Sequence, residues 1–184
     1  GTQMLAKGLD LSNVSLVGIL NADNMLYHPD FRSFERSFQM FTQVAGRAGR
    51  ADKKGNVIIQ TYNPLHAIIQ QVTQNNYLEM YKEQVYERKI FQYPPYFRLI
   101  RLTIKSKDFE KLKASSLWLY QVLKQSLQCP VLGPEEPVIS KVRNEYLRTV
   151  LIKIPLQNNL STTKKIIEKT ITSFETIPQY RNVK

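Results

Sequence analysis

Two residue types that often build sites are scarce in this 184-residue chain, which has one cysteine and two histidines. Cys129 has no partner for an intrachain disulfide, which fits a reducing compartment. His28 and His66 lie far apart in sequence, so no metal-ligand cluster forms and no metal site is expected. No apolar run approaches the roughly 20 residues that span a bilayer. No basic amphipathic stretch suggests a helix lying on a membrane surface either. The string Gly-x-x-x-x-Gly-Lys-Ser/Thr, whose backbone cradles nucleotide phosphates, does not occur, so this stretch alone is not expected to hydrolyse a nucleotide. No signal peptide opens the sequence and no Met begins it. A cytoplasmic chain without membrane contact is the expectation.

Positive charge is abundant. The net charge is +11, and its distribution is informative. Residues 1–97 hold 10 basic and 8 acidic side chains, whereas residues 98–184 hold 16 basic and 7 acidic. Such asymmetry points the C-terminal half at a polyanion, with nucleic acid the leading candidate and a merely solvated basic surface the alternative.

The most specific string is Gln43-Val-Ala-Gly46-Arg47-Ala-Gly49-Arg50, at the end of a helical run. Two arginines three apart, on glycine-broken backbone past a helix, bring two guanidinium forks to one place. Arginine keeps its charge and matches phosphate oxygens two at a time. Nucleotide hydrolysis needs such groups, because negative charge grows in its transition state. A basic helix end capped by glycine is the alternative.

Along the chain, Val14–Leu20 reads as a buried parallel strand, with Asn21-Ala-Asp23-Asn24 at its carboxyl end, where open α/β sheets bind ligands. Asp23 is either a turn former or a site residue. Phe31, Phe34, Phe38, Phe41 and Ala45 recur at helical spacing, with Asp30 as N-cap. Arg32, Glu35 and Arg36 lie on other faces, to pair locally or to face nucleic acid. Asn56–Thr61 reads as the next strand, giving a parallel α/β piece. Helices are expected from Pro64 to about Thr73 and from Tyr77 to Phe91, ended by Tyr93-Pro94-Pro95-Tyr96.

In the second half, Ile100, Leu102 and Ile104 alternate with Arg101, Thr103 and Lys105, a half-buried strand with a basic outer face. Asp108 caps a helix to about Leu127, and Gly133-Pro134 reads as a turn. Val138–Arg143 and Tyr146–Ile154 read as a hairpin joined at Asn144-Glu145, with Tyr146, Arg148, Val150, Ile152 and Ile154 on one face. Ser161 begins the last helix, to about Phe174. The order β-α-β-β-α lacks only a final strand of a ferredoxin-like sandwich, and the chain stops at Val183-Lys184 where that strand would start. The basic outer positions are read as Arg101, Lys105, Lys141, Arg143, Arg148 and Lys153, suited to phosphate contact without sequence readout. Tyr146 beside them either stacks on a base or packs over the sheet edge.

Gln43-x-x-Gly46-Arg47-x-x-Arg50 resembles motif VI of the superfamily-two helicases, and Gly1-Thr2-Gln3 through Gly8-Leu9-Asp10 resembles their motif V. With Asn21–Asp23, Pro29–Arg36, Gln60–Pro64, Tyr93–Pro95 and Leu132–Pro134, the chain resembles the PriA helicase family, the bacterial primosomal proteins N′, over nearly its whole length.

The resemblance implies α/β and α+β parts. Residues 1–63 would be the back of a second RecA-like lobe, 64–97 a helical linker, and 98–184 a ferredoxin-like domain binding DNA and partners. Opening inside a motif, the sequence is expected to be part of a longer protein. Arg47, Arg50 and Gln43 would act on ATP, Gly8, Asp10 and Gly46 would lie at the nucleotide, and Thr2 would touch the DNA backbone. ATP and magnesium would be cofactors of the longer enzyme, a 3′-to-5′ DNA helicase of replication restart. Zinc would belong to a family module outside this sequence. Forked or single-stranded DNA, primosome proteins and the single-stranded-DNA-binding protein are the implied partners, the last near Lys164 and Lys165. A nucleic-acid-binding or protein-docking adaptor with no ATPase role is the rival expectation.

Overall fold

The computed structural model describes residues 14–49 and 55–184. Contacts divide the chain at Glu87/Arg88 into two units. Among the described residues the first holds a parallel two-stranded sheet and the second an antiparallel four-stranded sheet.

In the first unit, β1 (Leu16–Ile19) pairs in parallel with β2 (Asn56–Ile59), Leu16 opposite Asn56 and Ile19 opposite Ile59. Parallel neighbours need a crossover, supplied by α1 (Asp23–Leu26) and α2 (Ser33–Ala45). The apolar run Val14–Leu20 predicts a buried strand, but Leu16 is 56% exposed, and in β2 Ile58 is 60% exposed. Among the described residues the helices cover only the face carrying Ile19 and Ile59.

The aromatic stripe of α2 is core. Phe38 and Phe41 are buried with Ala22, Leu26, Ile68, Ile69, Val72 and Met80, and Phe34 packs against them. Each such burial contributes about 1.5–3 kcal/mol. Ile68, Ile69 and Val72 come from α3 (Ala67–Thr73), and Met80 from α4 (Tyr77–Ile90). Two helix starts differ from expectation. Asp30 does not cap α2. Its carboxylate accepts from the Arg32 amide at 2.9 Å and pairs with Arg36 at 2.8 Å, closing the turn before Ser33. Helix α3 starts at Ala67 rather than Pro64, because the His66 amide first bonds back to the Asn63 carbonyl and His66 Nδ1 then accepts from Ile68. Arg32 pairs with Glu35 at 3.5 Å, so the charges of α2 engage one another locally.

The second unit contains β3 (Phe97–Ser106), α5 (Phe109–Ser126), β4 (Val131–Glu135), β5 (Lys141–Val142), β6 (Glu145–Pro155), α6 (Leu160–Thr176) and a 3-10 turn at Pro178–Tyr180. The sheet order is β3-β6-β4, and β5 pairs with the start of β6. Ile104, Val150, Ile152 and Ile154 meet Leu112, Leu119 and Leu123 of α5 and Ile167 and Phe174 of α6 in one core. Asp108 caps α5 through a 3.0 Å bond from the Lys111 amide, as its position predicts. Helix α6 begins at Leu160, one residue before the expected Ser161, and is capped by Asn159, which accepts from the Ser161 and Thr162 amides.

Two turns are displaced. Gly133-Pro134 is not a turn but lies inside β4, at an irregularity against β6. Gly133 has φ +107°, and a Cβ there would sit 2.6 Å from the Thr149 carbonyl oxygen. Only glycine fits so close a backbone crossing. The hairpin turn is Arg143-Asn144 rather than Asn144-Glu145, and the preceding strand shrinks to Lys141–Val142. The backbone of Lys184 exchanges two hydrogen bonds with Lys105 of β3, at 2.7 and 2.9 Å.

Candidate functional site

Gln43, Gly46 and Arg47 sit together at the end of α2. The Gly46, Arg47 and Ala48 amides bond back to Thr42, Val44 and Ala45, so the chain keeps turning past the helix end. The Gly49 amide, at φ +75°, then donates to the Val14 carbonyl just before β1 at 3.0 Å. Gln43 lies in the last turn of α2 and Arg47 in the tighter turn that follows it. Gln43 is exposed and Arg47 half-buried. Gly55 closes the site from the other strand. A Cβ at Gly55 would run into the Gly49 nitrogen and lie 2.6 Å from the Ala48 carbonyl carbon. Gly55 is not a site residue in the sequence, where Asp52-Lys53-Lys54-Gly55 reads only as a turn. Thr2, Gly8, Asp10 and Arg50 lie outside the described residues.

Asp23 occupies the opposite, carboxyl end of the strands. It is buried, and its two oxygens accept from Thr61 Oγ1 at 2.9 Å and from the Tyr62 amide at 3.0 Å. Its carboxylate therefore fastens the loop after β2.

The six basic positions of the second unit divide in three. Arg101 and Lys105 are exposed on the sheet face away from α5, opposite Leu151 and Leu147. Lys141 and Arg143 are exposed on the hairpin. Lys141 Nζ lies 4.5 Å from the Tyr146 ring centroid, and Phe109 meets the same ring edge-on at 5.4 Å. Tyr146 thus packs at the sheet edge. Arg148 and Lys153 depart from the outward reading. Arg148 shares the face of Val150 and reaches Ser116 Oγ and the Pro134 carbonyl, each at 3.4 Å. Lys153 does face away from α5 but is only 6% exposed, because residues 91–93 cover it. Burial pulls its pKa below the ordinary lysine value. Burial likewise raises the Cys129 thiol.

Lys164 and Lys165 are exposed on α6, and Lys165 lines a shallow open groove with Glu168, Lys169, Thr172 and Ser173. Among the described residues no group of three or more His, Cys, Asp or Glu is placed to hold a metal, and no helix is long and apolar enough to cross a membrane.

Residues 89–178, within the second unit, match the family model described as Primosomal protein N C-terminal domain. Beyond that domain, the chain is 42% identical over 171 residues to the replication restart protein PriA of Bacillus subtilis, covering 91% of this chain and 21% of the relative. This chain belongs to the PriA family. The PriA of Synechocystis is 42% identical over 159 residues, 84% of this chain and 19% of its own length. That of Treponema pallidum is 40% identical over 157 residues, 84% and 24% respectively. The chain thus spans about a fifth to a quarter of the curated relatives it matches.

Proposed function

We propose that this chain is the C-terminal part of an ATP-driven 3′-to-5′ DNA helicase that restarts replication forks with other primosome proteins in the cytoplasm. The observation that carries the motor reading is the clamped end of α2. There Gly49 bonds to Val14 and Gly55 packs on Ala48 and Gly49, holding Gln43, Gly46 and Arg47 in one short coil. In this reading the first unit is the back of a second RecA-like lobe. Arg47, together with Arg50, contacts ATP phosphates bound mainly by the other lobe with magnesium, and ATP supplies the phosphoryl chemistry. The guanidinium suits that task because it matches phosphate oxygens and stabilises the charge that grows on them. Gln43, Gly46, Gly8 and Asp10 sense the nucleotide, and Thr2 tracks the DNA backbone.

The second unit is a ferredoxin-like domain in this proposal. Support comes from its strand order and from Lys184, whose backbone bonds to Lys105 of β3, where the final strand of such a sandwich would pair. Its net positive charge binds forked or single-stranded DNA, and the exposed lysines of α6 receive the single-stranded-DNA-binding protein. The chain alone is expected to bind DNA without hydrolysing ATP.

The test is Arg47→Ala in the longer protein. DNA-stimulated ATPase falls about 1,000-fold or more, while fork affinity stays within about twofold. Intact ATPase would favour the adaptor reading.

A further inference from the structure

The β5–β6 hairpin carries its charge where charge is conformationally awkward. Lys141 pairs with Tyr146 and Val142 with Glu145, leaving a two-residue turn of Arg143 and Asn144. Their φ angles are +48° and +64°. Two-residue turns with positive φ at both positions favour Asn, Asp or Gly. Asn144 fits that demand and Arg143 does not. A chain that needed only to turn here gains nothing from a long cation at the leading tip.

The rest of the hairpin is also outward-directed. Val138 is 77% exposed, Ile139 67% and Val142 44%. The ribbon is braced at its base. The Leu147 amide donates to the Ser140 carbonyl at 2.8 Å, Lys141 lies over Tyr146, and Phe109 holds that ring edge-on. Glu145, the acidic residue of the ribbon, is met by Lys184 at 3.7 Å.

We propose that this hairpin is a wing that enters the minor groove of a duplex DNA arm, with Arg143 leading. The inference rests on the nucleic-acid reading of the second unit and deepens it. A two-residue tip suits a groove about 6 Å wide. The negative potential concentrated there attracts an inserted arginine, and exposed β-branched side chains are suited to the apolar sugar edges. A single strand would be gripped instead by open aromatic faces. Tyr146, the aromatic of this ribbon, is half-buried under Lys141 and against Phe109.

The experiment is fluorescence anisotropy of this chain on blunt duplex, forked and single-stranded oligonucleotides across a salt series, for wild type and Arg143→Asn. Asparagine suits the turn, so the thermal midpoint stays or rises. Duplex and fork affinity fall about 5- to 10-fold, and the slope of log affinity against log salt drops by about one. Netropsin, which fills the minor groove, competes with wild-type binding on an A·T-rich duplex. Unchanged duplex affinity for Arg143→Asn, or no competition by netropsin, overturns the wing and leaves nucleic-acid binding standing. Binding to single strands alone does the same. No binding to any DNA at low salt overturns the wing and the nucleic-acid reading together.

Discussion

Lys153 Nζ donates a 2.6 Å hydrogen bond to the carbonyl oxygen of Phe91, 62 residues earlier in the chain. The same ammonium lies 4.0 Å from the centroid of the Tyr93 ring. A lysine that alternation alone assigns to an open sheet face instead anchors the segment before β3.

Lys153→Met removes this anchor and leaves the Phe91 carbonyl without its charged donor. A loss of about 1–3 kcal/mol is expected, read by urea denaturation of the chain. The pH dependence has a definite sign. Burial lowers the folded pKa below the unfolded one. Between those values the unfolded chain binds more protons, so stability gains as pH rises through that alkaline window. The gain of wild type over Lys153→Met should therefore grow there, and a difference flat with pH would contradict it.

Asp23→Ala removes the acceptor of two donors, Thr61 Oγ1 and the Tyr62 amide. Both bonds are lost, at a cost of about 1–3 kcal/mol. The sharper readout is local. Hydrogen exchange at the Tyr62 amide should accelerate while exchange in β6 stays slow. Unchanged exchange at Tyr62 would show that the carboxylate does not fasten this loop.

Gly55→Ala tests the clamp on Arg47 without touching any charge. The added methyl meets backbone atoms of Ala48 and Gly49, and backbone, unlike a flexible side-chain end, yields only by moving the whole coil. In the longer protein this substitution should depress DNA-stimulated ATPase about 10- to 100-fold, since small misplacements of a catalytic group are costly. Fork affinity should persist. Full ATPase would mean that the coil tolerates displacement.

Local rules carried much of this fold. The i, i+3, i+7, i+10 recurrence of Phe31, Phe34, Phe38 and Phe41 located α2, and the alternation around Ile100–Lys105 located β3 with its correct inner face. Both periodicities are properties of the backbone itself, so they survive without knowledge of neighbours. The Gln43–Arg50 string is readable as a string for the same reason, because its residues are consecutive, and its action on a nucleotide belongs to the proposal. Its partner Gly55 was not legible, because the need for glycine arises only when β2 brings residue 55 against residues 48 and 49.

What the sequence by itself determined was the type and order of most elements, the charge asymmetry between the halves and the chemical character of the Gln43–Arg50 string. The tertiary structure alone decided which face of a strand stays open and where a turn falls. Arg148 and Lys153 have opposite parity on β6, yet each is drawn in, Arg148 beneath α5 and Lys153 beneath residues 91–93. Gly133-Pro134 lies within β4 because Leu132 and Glu135 on either side of it pair with Leu151 and Thr149 of β6, and Arg143-Asn144 became the turn because pairing of Val142 with Glu145 left those two residues between. Period and propensity act within a few residues. Burial and register depend on segments distant in sequence, and only the folded chain brings those together.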